Sequence, residues 1–298
     1  MEELTQVKQQ IKNFVSEIQD SKSLELLELL AQGKMLRSKL ILKIAGITND
    51  SVKLCAVVEM IHAASLLHDD VIDEADTRRG KPSINALFNN KTSIMFGDIL
   101  YSKAFTELSQ MNKKISYCIS NAVTQLSVGE MIDVELTNSF NTSYDKYYDM
   151  IYKKTASLIE ASAKAAAILS NKDENSFALY GKNLGLAFQM IDDVLDITSD
   201  TQTLGKPAML DFVEGKVTIP YLLLYKEIEE KEKLKSLYKK SLSNDEKIWI
   251  KEKMIKHDIL IQSISQAQKL GLEAIESIKD EPNQELKDIM NQMINREF

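Results

Sequence analysis

Two aspartate-rich segments, far apart in one chain, combine residue types and spacing that could do chemistry. Segments 69–73 and 192–196 read DDVID and DDVLD. On a helix, the first and last aspartates of each segment lie on the same face. Like charges at that spacing repel by about 0.2–0.5 kcal/mol even when exposed, so we expect a cation to offset them.

The ligand atoms in these segments indicate which cation that is. Carboxylate oxygens suit a hard ion, whereas the neighbouring His68 is not a preferred ligand of such an ion. Mg²⁺ typically takes one or two carboxylates and completes its coordination with water and substrate phosphate. Two facing helices of this kind predict a cleft that holds a diphosphate through Mg²⁺.

Basic residues near both segments could bind the diphosphate directly. Arginine offers a bidentate fork to phosphate oxygens, and lysine a mobile point charge. We expect Lys34 and Arg37 to share one helical face, and residues 153–155 to open another helix. His62 precedes Asp69 by two helical turns and points along the same side. The remaining cations are Arg78 and Arg79 after the first segment, and Lys206 and Lys216 after the second. Two basic groups beside one metal site suggest two diphosphate substrates.

Helical periodicity predicts the elements that position these residues. Apolar side chains recur at helical spacing before both aspartate segments, for example at Val57, Ile61 and Ala64. The 298 residues contain only ten Gly and four Pro, so few points exist where a helix must break. No sustained alternating strand pattern is present. We predict one all-α domain, residues 1–298, with its functional cleft inside the helical bundle.

Composition excludes several other classes. The formal net charge of −7 argues against a nucleic-acid surface, which needs a basic face. Cys55 and Cys118 are too few for a disulfide framework and are predicted to be buried, reduced thiols, which favours a cytoplasmic protein. The N-terminal residues lack the apolar core of a signal peptide. No apolar run reaches the roughly 18–20 residues that a transmembrane segment needs.

With these residues in place, the chain resembles the trans-prenyl diphosphate synthases, which elongate isoprenyl chains head to tail. The matching motifs are 62–73 HAASLLHDDVID, 78–82 RRGKP, Gly97-Asp98, Lys154-Thr155, residues 185–196, Gly205-Lys206 and residues 215–220. The resemblance implies an all-α, single-domain helical bundle of the isoprenoid synthase type with a central cleft. It also implies a likeness to long-chain members such as octaprenyl diphosphate synthase.

The resemblance implies a role for each candidate residue. Asp69, Asp73 and Asp192 would bind Mg²⁺, with Asp196 as a further ligand and Asp70 and Asp193 in support. The catalytic set would be Asp69, Asp70, Asp73, Asp192, Asp193 and Lys154. The allylic diphosphate would contact Arg78, Lys154, Thr155, Gln189, Lys206 and Lys216. Isopentenyl diphosphate would be held by Lys34, Arg37, His62 and Arg79.

One departure concerns the isopentenyl diphosphate site. The family usually reads Gly-Gly-Lys-Arg-x-Arg-Pro there, whereas residues 32–38 read QGKMLRS. Met35 therefore stands in place of an arginine, and Ser38 in place of the proline. We expect weaker binding of isopentenyl diphosphate at an otherwise retained site.

Product length is predicted from the size of two side chains. Ala64 and Ser65 lie one turn before Asp69, where short-chain members of the family commonly have an aromatic residue. Small residues there predict an open tunnel and a product longer than four isoprene units. The resemblance to long-chain synthases of quinone side chains implies about seven to nine units, with eight favoured. The alternatives are a farnesyl or geranylgeranyl diphosphate synthase, a class I terpene cyclase, a non-catalytic subunit of a heteromeric synthase and a Mg²⁺-binding scaffold. The family also implies a homodimer, and the apolar product suggests transient membrane contact for its release.

Overall fold

The computed structural model describes residues 2–31, 33–198, 208–281 and 283–294, and these residues are mostly helical. The prediction of an all-α fold is confirmed. The helices are α1 Glu2–Ser16, α2 Ser21–Leu29, α3 Leu36–Ala45, α4 Asn49–Ile72, α5 Ile84–Leu87, α6 Asn90–Leu108, α7 Lys113–Leu136, α8 Tyr144–Ile151, α9 Ser157–Leu169, α10 Glu174–Thr198, α11 Leu210–Glu214, α12 Ile219–Glu227, α13 Lys231–Leu237, α14 Asn244–Lys256, α15 Ile259–Ser277 and α16 Gln284–Ile294. A π-helical segment, Tyr152–Ala156, joins α8 to α9.

The chain packs as two compact units. The first comprises Met1–Thr124 and Ala161–Ala178, and the second Gln125–Glu160 and Leu179–Phe298. The first aspartate segment belongs to the first unit and the second segment to the second. The interpretation of residues 1–298 as a single domain stays a prediction.

Helix α4 forms the centre of the first unit. It begins at a capping box in which Thr48 accepts the backbone N–H of Ser51. It packs against α1, α3 and α6, and side chains along it such as Leu54, Val57 and Ile61 are fully buried. This packing fixes the C-terminal end of α4, where the first aspartate segment lies.

By length and composition, α4 is also long and apolar enough to cross a membrane, so the expectation that no segment reaches that threshold does not hold. Of its most apolar window, 61% is buried inside the protein. Burial of this kind is typical of the central helix of a folded core.

The core of the second unit surrounds α10. The rings of Phe212 and Tyr221 stack with centroids 4.2 Å apart, and Leu186, Met190 and Leu195 of α10 belong to the same buried cluster. Helix α8 begins at Ser143, whose hydroxyl accepts the N–H of Lys146. These contacts anchor the helices that present the second aspartate segment.

Candidate active site

The first aspartate segment ends α4. The backbone N–H of Asp73 donates to the carbonyl of Asp69 at 2.8 Å, so the two residues are one helical turn apart, as their spacing predicts. Asp73 is the C-cap of the helix. Carboxylates at a helix C-terminus meet the negative end of the helix dipole, which adds to their mutual repulsion. Cations are therefore needed at this point.

Asp70 receives its cation from the following loop. Its side chain is buried, and the Nε of Arg78 lies 2.5 Å from its Oδ1. Burial raises the pKa of Asp70, and the charge and hydrogen bond of Arg78 oppose that rise. Asp70 thus positions Arg78 rather than facing solvent.

A two-residue β-hairpin brings this loop back over the helix end. Strands β1, Thr77–Arg78, and β2, Lys81–Pro82, pair antiparallel. The turn between them places Arg79 in the left-handed region, with φ of 53°. The hairpin thereby carries Arg78 back to Asp70.

Three basic side chains form a cluster in the first unit, which we call the basic cluster: Arg37, His62 and Arg79. The Nη1 of Arg79 donates to the carbonyl of Ala31 at 3.1 Å. A Cβ at Gly33 would lie 2.5 Å from that Nη1, so glycine gives the guanidinium its room. The Nε of Arg37 is buried and has no hydrogen-bond partner within the described residues.

The charges of the basic cluster act on one another. Burial lowers the pKa of Arg37 to about 10, with Glu59 opposing the shift and Arg79 adding to it, so Arg37 stays charged at neutral pH. Burial, together with the charges of Arg37 and Arg79, holds the pKa of His62 well below 6.5. Crowded cations with a buried donor left without a partner suit a polyanion such as a diphosphate.

One sequence prediction about this region is wrong. Lys34 precedes α3 and is exposed, whereas Arg37 lies in the first turn of that helix. Met35 between them has φ of 51° and ψ of 47°, a left-handed conformation that interrupts helical geometry. Lys34 and Arg37 therefore do not share one helical face.

The second aspartate segment separates its three carboxylates by environment. Asp192 is exposed, whereas Asp193 and Asp196 are buried. The Oδ2 of Asp196 accepts the backbone N–H of Asp211 at 3.3 Å, and its carbonyl accepts that of Met209 at 2.7 Å. Asp196, predicted as a further metal ligand, thus ties α10 to the start of α11.

Asp193 is the end of a hydrogen-bonded chain. Thr155 donates to Oε1 of Gln189 at 2.8 Å, and Nε2 of Gln189 donates to Oδ1 of Asp193 at 3.0 Å. The hydroxyl of Tyr147 donates to Oδ2 of Asp193 at 2.6 Å. Burial raises the pKa of Asp193 well above its usual range, and the charge of Asp211 adds to the shift. These hydrogen bonds join three predicted site residues, and they add Tyr147, which was not predicted from the sequence.

Lys154 is held by two acidic residues of α7. Its Nζ lies 2.7 Å from Oε2 of Glu130 and 2.6 Å from Oδ2 of Asp133. A Cβ at Gly129 would lie 2.3 Å from the backbone N of Lys154, so glycine permits the close approach of α7. Lys154 and Thr155 lie within the π-helical segment. The prediction that residues 153–155 open a helix is therefore wrong. Such segments often occur at functional sites.

The remaining predicted residues have varied surroundings. Lys216 is half-buried, and its Nζ lies 3.0 Å from Oε2 of Glu214. Lys206 lies outside the described residues. Ala64 is fully buried on α4 and Ser65 half-buried, with the hydroxyl of Ser65 donating to the carbonyl of His62. Cys118 is only half-buried, unlike Cys55, and neither cysteine forms a disulfide bond.

The oxygen donors of each aspartate segment suit Mg²⁺ when substrate phosphate and water complete its coordination. Within the described residues, no group of three His, Cys, Asp or Glu side chains is arranged to hold a metal ion. Mg²⁺ needs only one or two carboxylates when phosphate and water fill its other positions. Asp69 and Asp73, one turn apart, and the exposed Asp192 offer oxygen ligands of this kind.

Comparison with known proteins agrees with these features. Residues 23–255 match the family described as polyprenyl synthetase. The chain belongs to this family. A prenyl transferase of Porphyra purpurea is 34% identical over 285 residues, which cover 89% of this chain and 86% of that protein. The predicted enzyme class, a prenyltransferase, is confirmed.

Two solved structures extend the likeness of this polyprenyl synthetase to the whole chain. Octaprenyl pyrophosphate synthase from Helicobacter pylori is 44% identical with a TM-score of 0.94, covering 99% of each chain. A polyprenyl synthase from Caulobacter crescentus, complexed with calcium and isoprenyl diphosphate, is 29% identical with a TM-score of 0.89. It covers 99% of this chain and 94% of its own. The predicted isoprenoid synthase fold is confirmed.

Proposed function

We propose that the protein condenses isopentenyl diphosphate with an allylic diphosphate, head to tail, to give an all-trans long-chain polyprenyl diphosphate. The observation that carries the proposal is the basic cluster on the same unit as the first aspartate segment. A metal-bound diphosphate accounts for the aspartates alone. Arg37, His62 and Arg79 call for a second anion, and elongation is the reaction that uses two diphosphates.

The allylic diphosphate is assigned to the aspartates and to the cations beside them. Arg78, held by Asp70, and Lys154, held between two carboxylates, each have a fixed ammonium or guanidinium group to offer phosphate oxygens. Thr155 and Gln189 supply neutral donors from the chain that ends at Asp193. Lys206 and Lys216 complete the proposed set.

Mg²⁺ is assigned to Asp69, Asp73 and Asp192, with Asp196 in a supporting position because its carboxylate is buried. When bound, the metal would neutralise charge that develops on the departing diphosphate. The basic side chains assigned to the allylic diphosphate act on the same charge and lower the barrier to ionisation of the allylic C–O bond. The similar synthase from Caulobacter crescentus is complexed with calcium, also an oxygen-seeking ion, which supports the use of a divalent metal.

The basic cluster is assigned to isopentenyl diphosphate, with exposed Lys34 at its edge. Isopentenyl diphosphate is held there with its double bond facing the allylic carbocation, which that double bond attacks. Fixing both substrates in a reactive geometry replaces a chance encounter between them. A C–C bond forms, the allylic C–O bond breaks, and loss of one proton restores a double bond. We assign that proton to the departing diphosphate, so no protein nucleophile is needed.

The product is assigned a length of about eight isoprene units, for quinone side chains. Ala64 and Ser65 leave the side of α4 before Asp69 without a bulky side chain. The 44% identity to an octaprenyl pyrophosphate synthase supports this length. A farnesyl or geranylgeranyl product is the alternative and would require a tunnel blocked elsewhere.

We further propose a cytoplasmic homodimer. Cys55 and Cys118 are not joined in a disulfide, which favours a reducing compartment. Met95 and Tyr117, both in the first unit, expose 57% and 74% of their surface and are candidates for an interface. Transient membrane contact for product release follows from the apolar product alone.

Omission experiments test the proposed reaction. The purified chain is incubated with Mg²⁺, farnesyl diphosphate and labelled isopentenyl diphosphate, and then without each component or with EDTA. Elongation that requires all three supports the proposal. Release of diphosphate from farnesyl diphosphate without incorporation of label would indicate a cyclase, and no reaction would indicate a missing partner subunit.

A further inference from the structure

Glu59 of α4 reaches the first turn of α3. Its Oε1 accepts both the hydroxyl of Ser38, at 2.7 Å, and the backbone N–H of Ser38, at 3.2 Å. Ser38 is the third residue of α3, and its N–H is one of those that a helix leaves without an internal partner. Glu59 therefore accepts, from another helix, the backbone N–H that a local N-cap side chain normally accepts.

Helix α3 has no local substitute for this contact. Its N-cap residue is Met35, which makes no capping hydrogen bond, and no acidic residue lies in its first turn. A carboxylate at a helix N-terminus also interacts favourably with the positive end of the helix dipole. Glu59 supplies both the missing acceptor and the missing negative charge.

Ser38 is bound to α4 through all its polar groups. Besides the two bonds to Glu59, its carbonyl accepts the thiol of Cys55 at 3.6 Å. A proline at position 38 would lack both the N–H and the hydroxyl. Serine at this position therefore supplies both donors of the contact that fixes the start of α3.

This contact lies directly beside the basic cluster. Arg37 precedes Ser38 in the same turn, and His62 follows Glu59 by three residues on the same face of α4. The negative charge of Glu59 acts on the guanidinium groups of both Arg37 and Arg79. A carboxylate inside an anion site is unfavourable for the ligand itself, so its benefit must come from holding the arginines.

We propose that Glu59, through its hydrogen bonds to Ser38, is a positioning residue that fixes Arg37 for the diphosphate of isopentenyl diphosphate. The inference rests on the proposed function. Glu59 does not contact the substrate.

The test compares Glu59→Ala with Glu59→Gln in steady-state assays and in calorimetric binding of isopentenyl diphosphate without the allylic substrate. Glu59→Ala raises the KM and Kd for isopentenyl diphosphate about tenfold, which is 1.4 kcal/mol. The kcat and the KM for farnesyl diphosphate stay within about twofold. Glu59→Gln keeps an Oε1 acceptor for Ser38 and restores binding to within about threefold of the wild type.

Two further variants separate positioning from stability. Thr48→Ala removes the cap at the other end of the same helix α4 and lowers the melting temperature without changing either KM. Ser38→Ala removes the hydroxyl bond alone and raises the Kd for isopentenyl diphosphate by about threefold, less than Glu59→Ala does. It provides the measurement if Glu59→Ala does not fold.

Several outcomes would overturn the inference. Tighter binding of isopentenyl diphosphate by Glu59→Ala would show that the carboxylate only repels the anion. Equal losses of affinity in Glu59→Ala and Glu59→Gln would show that the charge of Glu59 matters and not its hydrogen bonds. The proposed function fails separately, if wild-type protein binds isopentenyl diphosphate but does not elongate an allylic diphosphate. The calorimetric comparison then still decides the role of Glu59.

Discussion

The phenolic hydroxyl of Tyr147 donates a 2.6 Å hydrogen bond to Oδ2 of Asp193, and both side chains are buried. The tyrosine comes from α8 and the aspartate from α10, so the bond ties two helices together at the second aspartate segment. It also fixes the neighbour of Asp192, the exposed carboxylate that we assign to the metal. We therefore expect the orientation of Asp192 to depend on a residue far away in sequence.

Tyr147→Phe tests this dependence. Removing the hydroxyl leaves a buried carboxylate oxygen with one fewer donor, which costs about 1–3 kcal/mol of folding stability. We expect the KM for the allylic diphosphate to rise and kcat to fall about tenfold. A tenfold lower kcat corresponds to an activation free energy about 1.4 kcal/mol higher. Steady-state kinetics at saturating isopentenyl diphosphate measure both.

Tyr180→Phe is the matched control for that variant. Tyr180 is equally buried, and its hydroxyl donates at 2.6 Å to the carbonyl of Leu286, within the same unit. We expect a similar loss of stability with unchanged kinetics. Equal kinetic losses in the two variants would mean that Tyr147 acts only through stability.

Asp69→Ala and Asp192→Ala test the assigned metal ligands. Each removes an oxygen donor and should lower kcat/KM by roughly three orders of magnitude or more, a loss typical of groups that stabilise transition-state charge. Asp50→Ala, an exposed aspartate in the first turn of α4, is the control and should keep activity within about twofold. Near-normal turnover by either active-site variant contradicts the metal assignment.

The surroundings of His62 predict how stability changes with pH. Because burial holds its folded-state pKa well below 6.5, the folded protein binds fewer protons there than the unfolded chain. Folding stability contributed by neutral His62 is present above about pH 6.5 and falls by up to about 1.4 kcal/mol per pH unit as the pH is lowered below that value.

Urea unfolding from pH 7.5 to 5.0 measures this effect. The free energy of unfolding should fall more steeply for wild type than for His62→Gln below pH 6.5. Parallel curves for the two proteins would show that His62 takes up a proton equally well in the folded state.

Ala64 and Ser65 give a prediction about product length. Ser65→Phe places an aromatic ring at a half-buried position and should shorten the main product to about three or four isoprene units. Ala64→Phe should do the same, at a cost of about 1–3 kcal/mol because Ala64 is fully buried and the helix is overpacked. Mass spectrometry of the products measures the length.

Ala63→Phe is the control for product length. Ala63 is half-buried beside Ala64 on the same helix but projects in a different direction. The Ala63→Phe variant should make a product of the same length as the wild type. Unchanged products from both Ala64→Phe and Ser65→Phe would show that the growing chain does not pass this side of α4.

Local spacing made part of this site predictable. The single helical turn between Asp69 and Asp73, and the return of Arg78 toward Asp70, involve residues close together in sequence. An all-α fold followed in the same way from helical periodicity and the scarcity of Gly and Pro. In these cases the pattern and the structure depend on the same short-range geometry.

Other features depend on packing that no local pattern reveals. Met35 takes a left-handed conformation that moves Lys34 off the helix, although Met is not a residue typical of that conformation. The π-helical segment around Lys154 lies where Gly129 lets another helix approach. The acceptor roles of Glu59, Glu130 and Asp133 appear only when helices distant in sequence are packed together.

The most direct test of the central claim is the size of the product. Wild-type protein is incubated with Mg²⁺, farnesyl diphosphate and excess labelled isopentenyl diphosphate, and the products are sized by mass spectrometry. We predict a ladder of diphosphates that ends near eight isoprene units. Absence of any elongated diphosphate from the folded chain, with both aspartate segments intact, would contradict the assignment of chain elongation.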